Sequence, residues 1–280
     1  MPLQLILFTS LTMIGFASNS ILCRLALRDS ANNPLSFTLI RLLSGAIILT
    51  PVFIRAIRSE PLRPTRKTIL PPLLLFLYAL FFSLSYVQIA SGTGALILFT
   101  SVQLTMMFVF VFRGQTLKLN EKIGFALAAC GFVYLLLPGL SMPPFTSATL
   151  MGLAGVAWGL YTLMGQAATE PILATARNFI FTAPLCVVIL LFHPVQLTQV
   201  GLSLAATSGA ITSGLAYTLW YAVLKKLQTS TAAIIQLTVP ALAAFGGALL
   251  LGETPTPRLL IASALIFLGI LIKVKKLSPN

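Results

Sequence analysis

The chain is predicted to be an all-α integral membrane protein with ten transmembrane helices arranged as a five-plus-five inverted repeat. Three observations carry that fold class. Of 280 residues, 58% are hydrophobic and 8% are charged, with a mean hydropathy of +0.98. Soluble domains carry about 25% charged residues, so this composition cannot cover a water-facing surface. The apolar residues fall into ten stretches near the ~20-residue length that spans a bilayer. Finally, the second half of the sequence repeats part of the first.

The first stretch, 4–23, opens without Lys or Arg, and no small-x-small cleavage site closes it. Leu22 stands before Cys23 where lipoprotein processing requires a small residue, so the stretch reads as a retained span rather than a signal peptide. The others are 35–54, 69–88, 94–112, a short fifth at 121–137, then 148–168, 175–192, 201–223, 230–251 and 257–274. Pro184 and Pro240 each remove a backbone donor inside a span and predict bends there. The connections are brief and leave no room for a soluble domain. The longest, 55–68, is a basic loop containing Pro61 and Pro64.

Fourteen of the 18 Lys and Arg residues fall on one side of the ten spans: Arg55, Arg58, Arg63, Arg66, Lys67, Arg113, Lys118, Lys122, Arg177, Lys225, Lys226, Lys273, Lys275 and Lys276. Arg24, Arg28 and Arg258 fall on the other, and Arg41 lies within a span. Basic loops stay in the cytoplasm, which predicts cytoplasmic termini and, for a bacterial chain, the inner membrane. The same distribution explains the net charge of +13 without nucleic acid, which would require the cations on one face. Cys23, Cys130 and Cys186 form no CxxC pair and read as small apolar packers.

Shifted by 138 positions, Thr93, Ala95, Ile97, Thr100 and Leu104 coincide with Thr231, Ala233, Ile235, Thr238 and Leu242. In the same register Gly114, Thr116, Ile123, Ala126, Leu127 and Gly131 meet Gly252, Thr254, Ile261, Ala264, Leu265 and Gly269. Residues 1–140 and 147–280 are therefore expected to form two repeats. Five spans each, an odd number, places them in opposite orientations. That is the plan of secondary transporters, whose site lies where the halves meet.

Chemistry is thinly supplied. No GxxxxGK[ST] phosphate loop is present, His193 is the lone histidine, and no metal-ligand set or cofactor motif occurs. Asp29, Glu60, Glu121, Glu170 and Glu253 all sit in loops or at span ends. Coupling through a buried carboxylate is thus disfavoured, and exchange or facilitated diffusion favoured. Glu253 reads first as a helix cap at the outer end.

Arg41 has two readings, a substrate anchor facing the interior or a side chain snorkelling to the outer surface. Near the predicted midplane lie Gln103, Trp158, Tyr161, Gln236 and Thr238, with Asn19, Tyr86, Tyr217 and Trp220 about two turns away. Buried amides and indoles need partners, which either a solute cavity or helix–helix bonding supplies. With Arg41 they form the candidate substrate-binding set, and the two-fold axis is expected near Thr100 and Thr238. Gly155 and Gly159 form a GxxxG pattern for close helix packing.

Residues 214–253, GLAYTLWYAVLKKLQTSTAAIIQLTVPALAAFGGALLLGE, resemble the second half of EamA-like members of the drug/metabolite transporter superfamily. Gly15 with Ser18 and Asn19, Pro34, and Arg41 in LSFTLIRLLSGAIIL are similar to its first two spans, and GLAGVAWGLYTLMGQ at 152–166 to its sixth. Ile14 stands where the family usually has Trp. The resemblance covers nearly the whole chain. It implies export or exchange of small metabolites through a central cavity; the leading expectation is a secondary carrier of an amino acid or a drug-like amphiphile, embedded in lipid as a monomer or homodimer. A membrane-embedded enzyme and a non-transporting assembly protein are the competing classes.

Overall fold

The computed structural model describes residues 3–57, 66–114, 119–137, 142–166, 168, 170–227, 235–236 and 238–274. Among them all regular structure is helical: α1 (Leu3–Leu27), α2 (Pro34–Ile57), α3 (Arg66–Tyr86), α4 (Ser91–Phe112), α5 (Leu119–Leu136), α6 (Phe145–Gln166) and α7 (Pro171–Phe192). A continuous rod follows, made of α8 (Gln199–Thr207), a π-helical stretch (Ser208–Leu215) and α9 (Ala216–Leu224). Helices α10 (Thr238–Leu251) and α11 (Pro257–Val274) complete the described chain. Residues 58–65 of the 55–68 basic loop, with Thr116, Lys118, Thr231, Ala233, Lys275 and Lys276, lie outside the described residues, while 55–57 and 66–68 belong to α2 and α3.

Among the described residues six helices are long and apolar enough to cross a membrane, and 122–136, 238–251 and 257–269 are shorter apolar helices. The longest, α1, has 25 residues and reaches about 37 Å, more than the hydrocarbon core requires. Asn33 caps α2 by accepting from the backbone N–H groups of Leu35 and Ser36, and Pro34 takes the first helical position, where no N–H is needed. Thr198 caps α8 through Gly201.

Large apolar side chains point outward, among them Ile47, Phe108, Leu191, Phe192 and Phe245, while Asn19, Arg41, Thr38, Ser83 and Ser213 are buried. That is the distribution lipid demands, with hydrogen-bonding groups turned inward. The GxxxG pattern packs α6 on α4: a Cβ at Gly155 would lie 2.5 Å from Ser101 Cβ, and one at Gly159 3.1 Å from Thr105 Cβ.

Some positions 138 residues apart share local geometry. Gly114 and Gly252, equivalent by that offset, follow α4 and α10 with φ of 76° and 69°. This is the left-handed conformation in which glycine ends a helix most readily. Helices α5 and α11 lie against each other with reciprocal contacts. Gly131 faces Leu265 and the Ala262 carbonyl, and Gly269 faces Leu127 and the Gly124 carbonyl. Each contact becomes the other when 138 is added to one residue and subtracted from its partner.

Candidate binding site inside the bundle

Arg41 on α2 is 1% exposed. Its Nε donates to Ser213 Oγ at 3.0 Å, and its Nη2 donates to Tyr217 Oη at 2.7 Å and Tyr78 Oη at 3.3 Å. The guanidinium carbon stands 4.8 Å from the Phe82 ring centre and 5.3 Å from that of Tyr78. Snorkelling is therefore not what this side chain does. Three hydroxyls and two ring faces within the bundle receive it, so it has no need to reach the surface.

The π-helical stretch, SGAITSGL, makes this possible. A π turn bonds five residues back instead of four and shifts the faces of the rod around its axis. Its small residues also let it lie on the backbone of α2. A Cβ at Gly209 would overlap the Arg41 carbonyl oxygen and Ser44 Oγ, and Gly45 leaves room for the Gly209 carbonyl. Ser213 then meets Arg41, while Ser208 Oγ and Thr212 Oγ1 donate to Asn19 Oδ1 at 2.7 and 3.2 Å. Those two bonds fix the amide of Asn19 so that its Nδ2 faces Tyr78 Oη, 3.5 Å away. Because the obstacle at Gly209 is backbone, Gly209→Ala is expected to cost about 2 kcal/mol of stability. A thermal-unfolding midpoint unchanged from wild type in detergent would show that α2 and the π stretch separate freely.

Aromatic rings complete the site. Trp158 on α6 has its ring centre 4.5 Å from that of Tyr217, 4.8 Å from Tyr78 and 5.8 Å from Phe16. Tyr161 stacks on Trp158 at 5.2 Å and on Tyr221 at 5.4 Å, and accepts a bond from Asn178 Nδ2 at 3.3 Å. Phe16, Asn19, Ser20, Tyr78, Phe82, Leu98, Phe99, Trp158 and Tyr217 enclose a cavity of about 10 Å³, room for a single water. This conformation is closed around its centre.

Of the candidate residues, Asn19, Trp158 and Tyr217 line the cavity, and Arg41 stands directly behind its two tyrosines. Tyr161 lies one ring beyond, and Trp220 contacts Phe16 at 5.8 Å. Tyr86 packs on Phe82 at 4.6 Å and donates to the Ser91 carbonyl. The remaining three do not join them. Gln103 and Thr100 line a separate space of about 20 Å³ with Leu104, Met107, Gly124, Phe125, Ala128 and Gly269. Gln236 is buried with no described bond to the cluster, and Thr238 is exposed.

Sequence reasoning missed Tyr78, Phe16, Phe82 and the serines and threonine of the π stretch. Tyr78 had one signal: it is the only hydrogen-bonding side chain from Ile69 to Phe82.

At one end of the bundle the halves are fastened together. Arg24 Nε meets Glu253 Oε1 at 3.3 Å, and its Nη1 donates to the carbonyls of Tyr86 and Val87. Glu253 Oε2 accepts from the Ser91 backbone N–H at 2.8 Å and from Ser91 Oγ at 2.6 Å, so Glu253 caps α4 from the opposite half. Gly247 supplies the space, since a Cβ there would meet both Ser91 and Glu253. Asn32 Oδ1 accepts from the Thr198 backbone at 2.8 Å, and the Asn33 N–H donates to the Gln196 carbonyl at 2.9 Å. Ser147 Oγ donates to Gln88 Oε1 at 3.1 Å.

A profile of the EamA-like transporter family matches residues 3–137 and again 146–274. An uncharacterized protein of Pseudomonas aeruginosa is 45% identical over 267 residues, 95% of this chain and 92% of its own length. An uncharacterized transporter of Clostridium kluyveri is 25% identical over 95% of this chain and 91% of its own length. One of Archaeoglobus fulgidus is 25% identical over 71% and 73%. A solved crystal structure of a protein 18% identical superposes with a TM-score of 0.66 over 95% of this chain and 98% of its own, and shares the fold.

Proposed function

The chain belongs to the EamA-like transporter family, and on that premise we propose that it is a secondary transporter exporting or exchanging a small organic metabolite by alternating access. It is a multi-pass membrane protein. We read it as ten spans in two inverted repeats, 1–140 and 147–280, in a bacterial inner membrane with both termini cytoplasmic. The reciprocal α5–α11 contacts support the repeat. A pairing in which residue i meets j of the other copy and j meets i is the mark of a two-fold axis. The separate matches of the family profile to 3–137 and 146–274 agree with it.

The observation that carries the transport reading is a closed polar and aromatic chamber at the junction of the halves. Arg41, Tyr78, Asn19 and Phe16 come from the first half, and Trp158, Tyr217 and Ser213 from the second. A site built from both halves is exposed to one side and then the other as the halves exchange conformations. The end fastened through Glu253 is the outer one on the charge bias, so this conformation is shut outward.

Counterflow in proteoliposomes against labelled amino acids, sugars, organic acids and organic cations tests the reading. Saturable exchange of at least one organic solute, with no need of an imposed pH gradient, is expected. Uptake that appears only under a proton gradient and collapses with a protonophore would contradict the exchange mechanism. Orientation is tested in a thiol-free variant carrying Lys226→Cys. An impermeant thiol reagent should label it only from the cytoplasmic side, and labelling from outside would reverse the topology.

A further inference from the structure

The polar side of the cavity carries Asn19, Ser20, Tyr78 and Tyr217 with Arg41 behind the two tyrosines; its one formal charge is positive, and the unpartnered Ser20 hydroxyl can donate to an anion. Arg41 spends Nε and Nη2 on three hydroxyls, and its Nη1, fully buried, has no partner among the described residues. Asn19 has its carbonyl oxygen occupied by Ser208 and Thr212 and turns its amide nitrogen toward the centre. Tyr78 Oη already faces Arg41 Nη2, Asn19 Nδ2 and the Tyr217 hydroxyl.

The charge is one-sided. Among the described residues the single ion pair is Arg24–Glu253, so no carboxylate answers the buried guanidinium. An unpaired buried charge is costly, and a cavity of about 10 Å³ holds too little water to solvate it. The rings do not make this a cation cage either. The faces of Tyr78 and Phe82 are already taken by the Arg41 guanidinium.

We propose that the transported solute is an organic monoanion, an aromatic or apolar body bearing one carboxylate-like head. The head takes the unpartnered Nη1 of Arg41, with the Ser20 hydroxyl and the second hydrogen of Asn19 Nδ2 beside it, and supplies the missing counter-charge. The body lies among Phe16, Trp158 and Tyr217 once these separate. A zwitterion brings an ammonium group for which the described cavity has no carboxylate, and a cation meets the guanidinium directly. The inference rests on the reading that this cavity is the solute site, and it selects organic acids over amino acids.

Three compounds share one ring and differ in net charge: phenylacetate at −1, phenylalanine at zero and phenethylamine at +1. The only tryptophans in the chain, Trp158 and Trp220, both flank Phe16 beside the cavity, so their emission reports binding to purified protein in chloride-free buffer. Phenylacetate is expected to bind saturably, at least tenfold more tightly than the other two. Arg41→Gln should abolish the preference, and Tyr217→Phe should weaken phenylacetate a few-fold while keeping it. The wild-type series stands even where a variant fails to fold. Equal or tighter binding of phenylalanine or phenethylamine overturns the proposal, as does no response to any of the three. An equal response to chloride alone overturns it too, since the site would then hold an inorganic counter-ion. Counterflow separates the two readings. Preferred binding of phenylacetate with no exchange of any solute sinks transport and leaves the anion site, whereas exchange of neutral or cationic solutes alone sinks the anion site and leaves transport.

Discussion

Arg41→Gln is expected to lower solute exchange by about 100-fold while the protein still inserts and purifies as a monodisperse species. Glutamine keeps a polar head of moderate size but loses the charge, the Ser213 bond and simultaneous donation to Tyr78 and Tyr217. Removing one partner from a buried charged cluster costs about 2–5 kcal/mol, and 2.7 kcal/mol is about 100-fold. Arg41→Lys should be milder, about tenfold down, because an ammonium keeps the charge but cannot spread its donors across three hydroxyls in one plane. Initial rates of counterflow, with protein content matched, measure both. Unimpaired exchange in Arg41→Gln would place the solute elsewhere and leave the cluster a structural clasp between α2, α3 and the π stretch.

The second large effect concerns the fastened end. Glu253→Gln removes the ion pair with Arg24 and turns charge-assisted acceptance from Ser91 into ordinary hydrogen bonding. A loss of about 2 kcal/mol for the closed state shifts the population of the open state about 30-fold. Trp158 and Trp220 are fully buried in the closed conformation. Their quenching by acrylamide should therefore rise in Glu253→Gln. Arg24→Gln should produce a similar rise. The double variant should fall short of the sum of the two single ones, because the Arg24–Glu253 pair is shared while the Arg24 bonds to the Tyr86 and Val87 carbonyls and the Glu253 bonds to Ser91 are lost separately. Fully additive effects would mean that the ion pair itself contributes nothing to closure.

Much of the fold was legible in the sequence because lipid imposes simple rules. Apolar runs of sufficient length located the helices, and the offset that equated Gly114 with Gly252 marked two helix ends of the same conformation. The site was only partly legible. Arg41 could be singled out because a charge within a span needs a reason, and Trp158 and Tyr217 because amphipathic rings do. No residue pattern announces the π winding of 208–215, which decides that Ser213 reaches Arg41 and that Ser208 and Thr212 hold Asn19. Tyr78 was hidden among leucines and phenylalanines, since a single hydroxyl in an apolar run sets up no pattern. Thr100 and Gln103 looked central because they sit at mid-span. Depth in the membrane does not fix which way a side chain faces, and these two face α5 and α11 rather than the aromatic chamber. Glu253 was readable as a cap, but not that the helix it caps belongs to the other half.

The claim on which the rest depends is that the chamber between the halves opens to each side in turn. Ser20 lines it and is small enough to become cysteine without rebuilding the wall. In a chain where Cys23, Cys130 and Cys186 are replaced, Ser20→Cys is probed with a small impermeant thiol reagent from each side of oriented vesicles. The expected result is labelling from the cytoplasmic side when Glu253 is intact, and labelling from the outer side once Glu253→Gln is added. Failure to label from either side in both backgrounds would contradict the account, because a chamber that never opens carries nothing across.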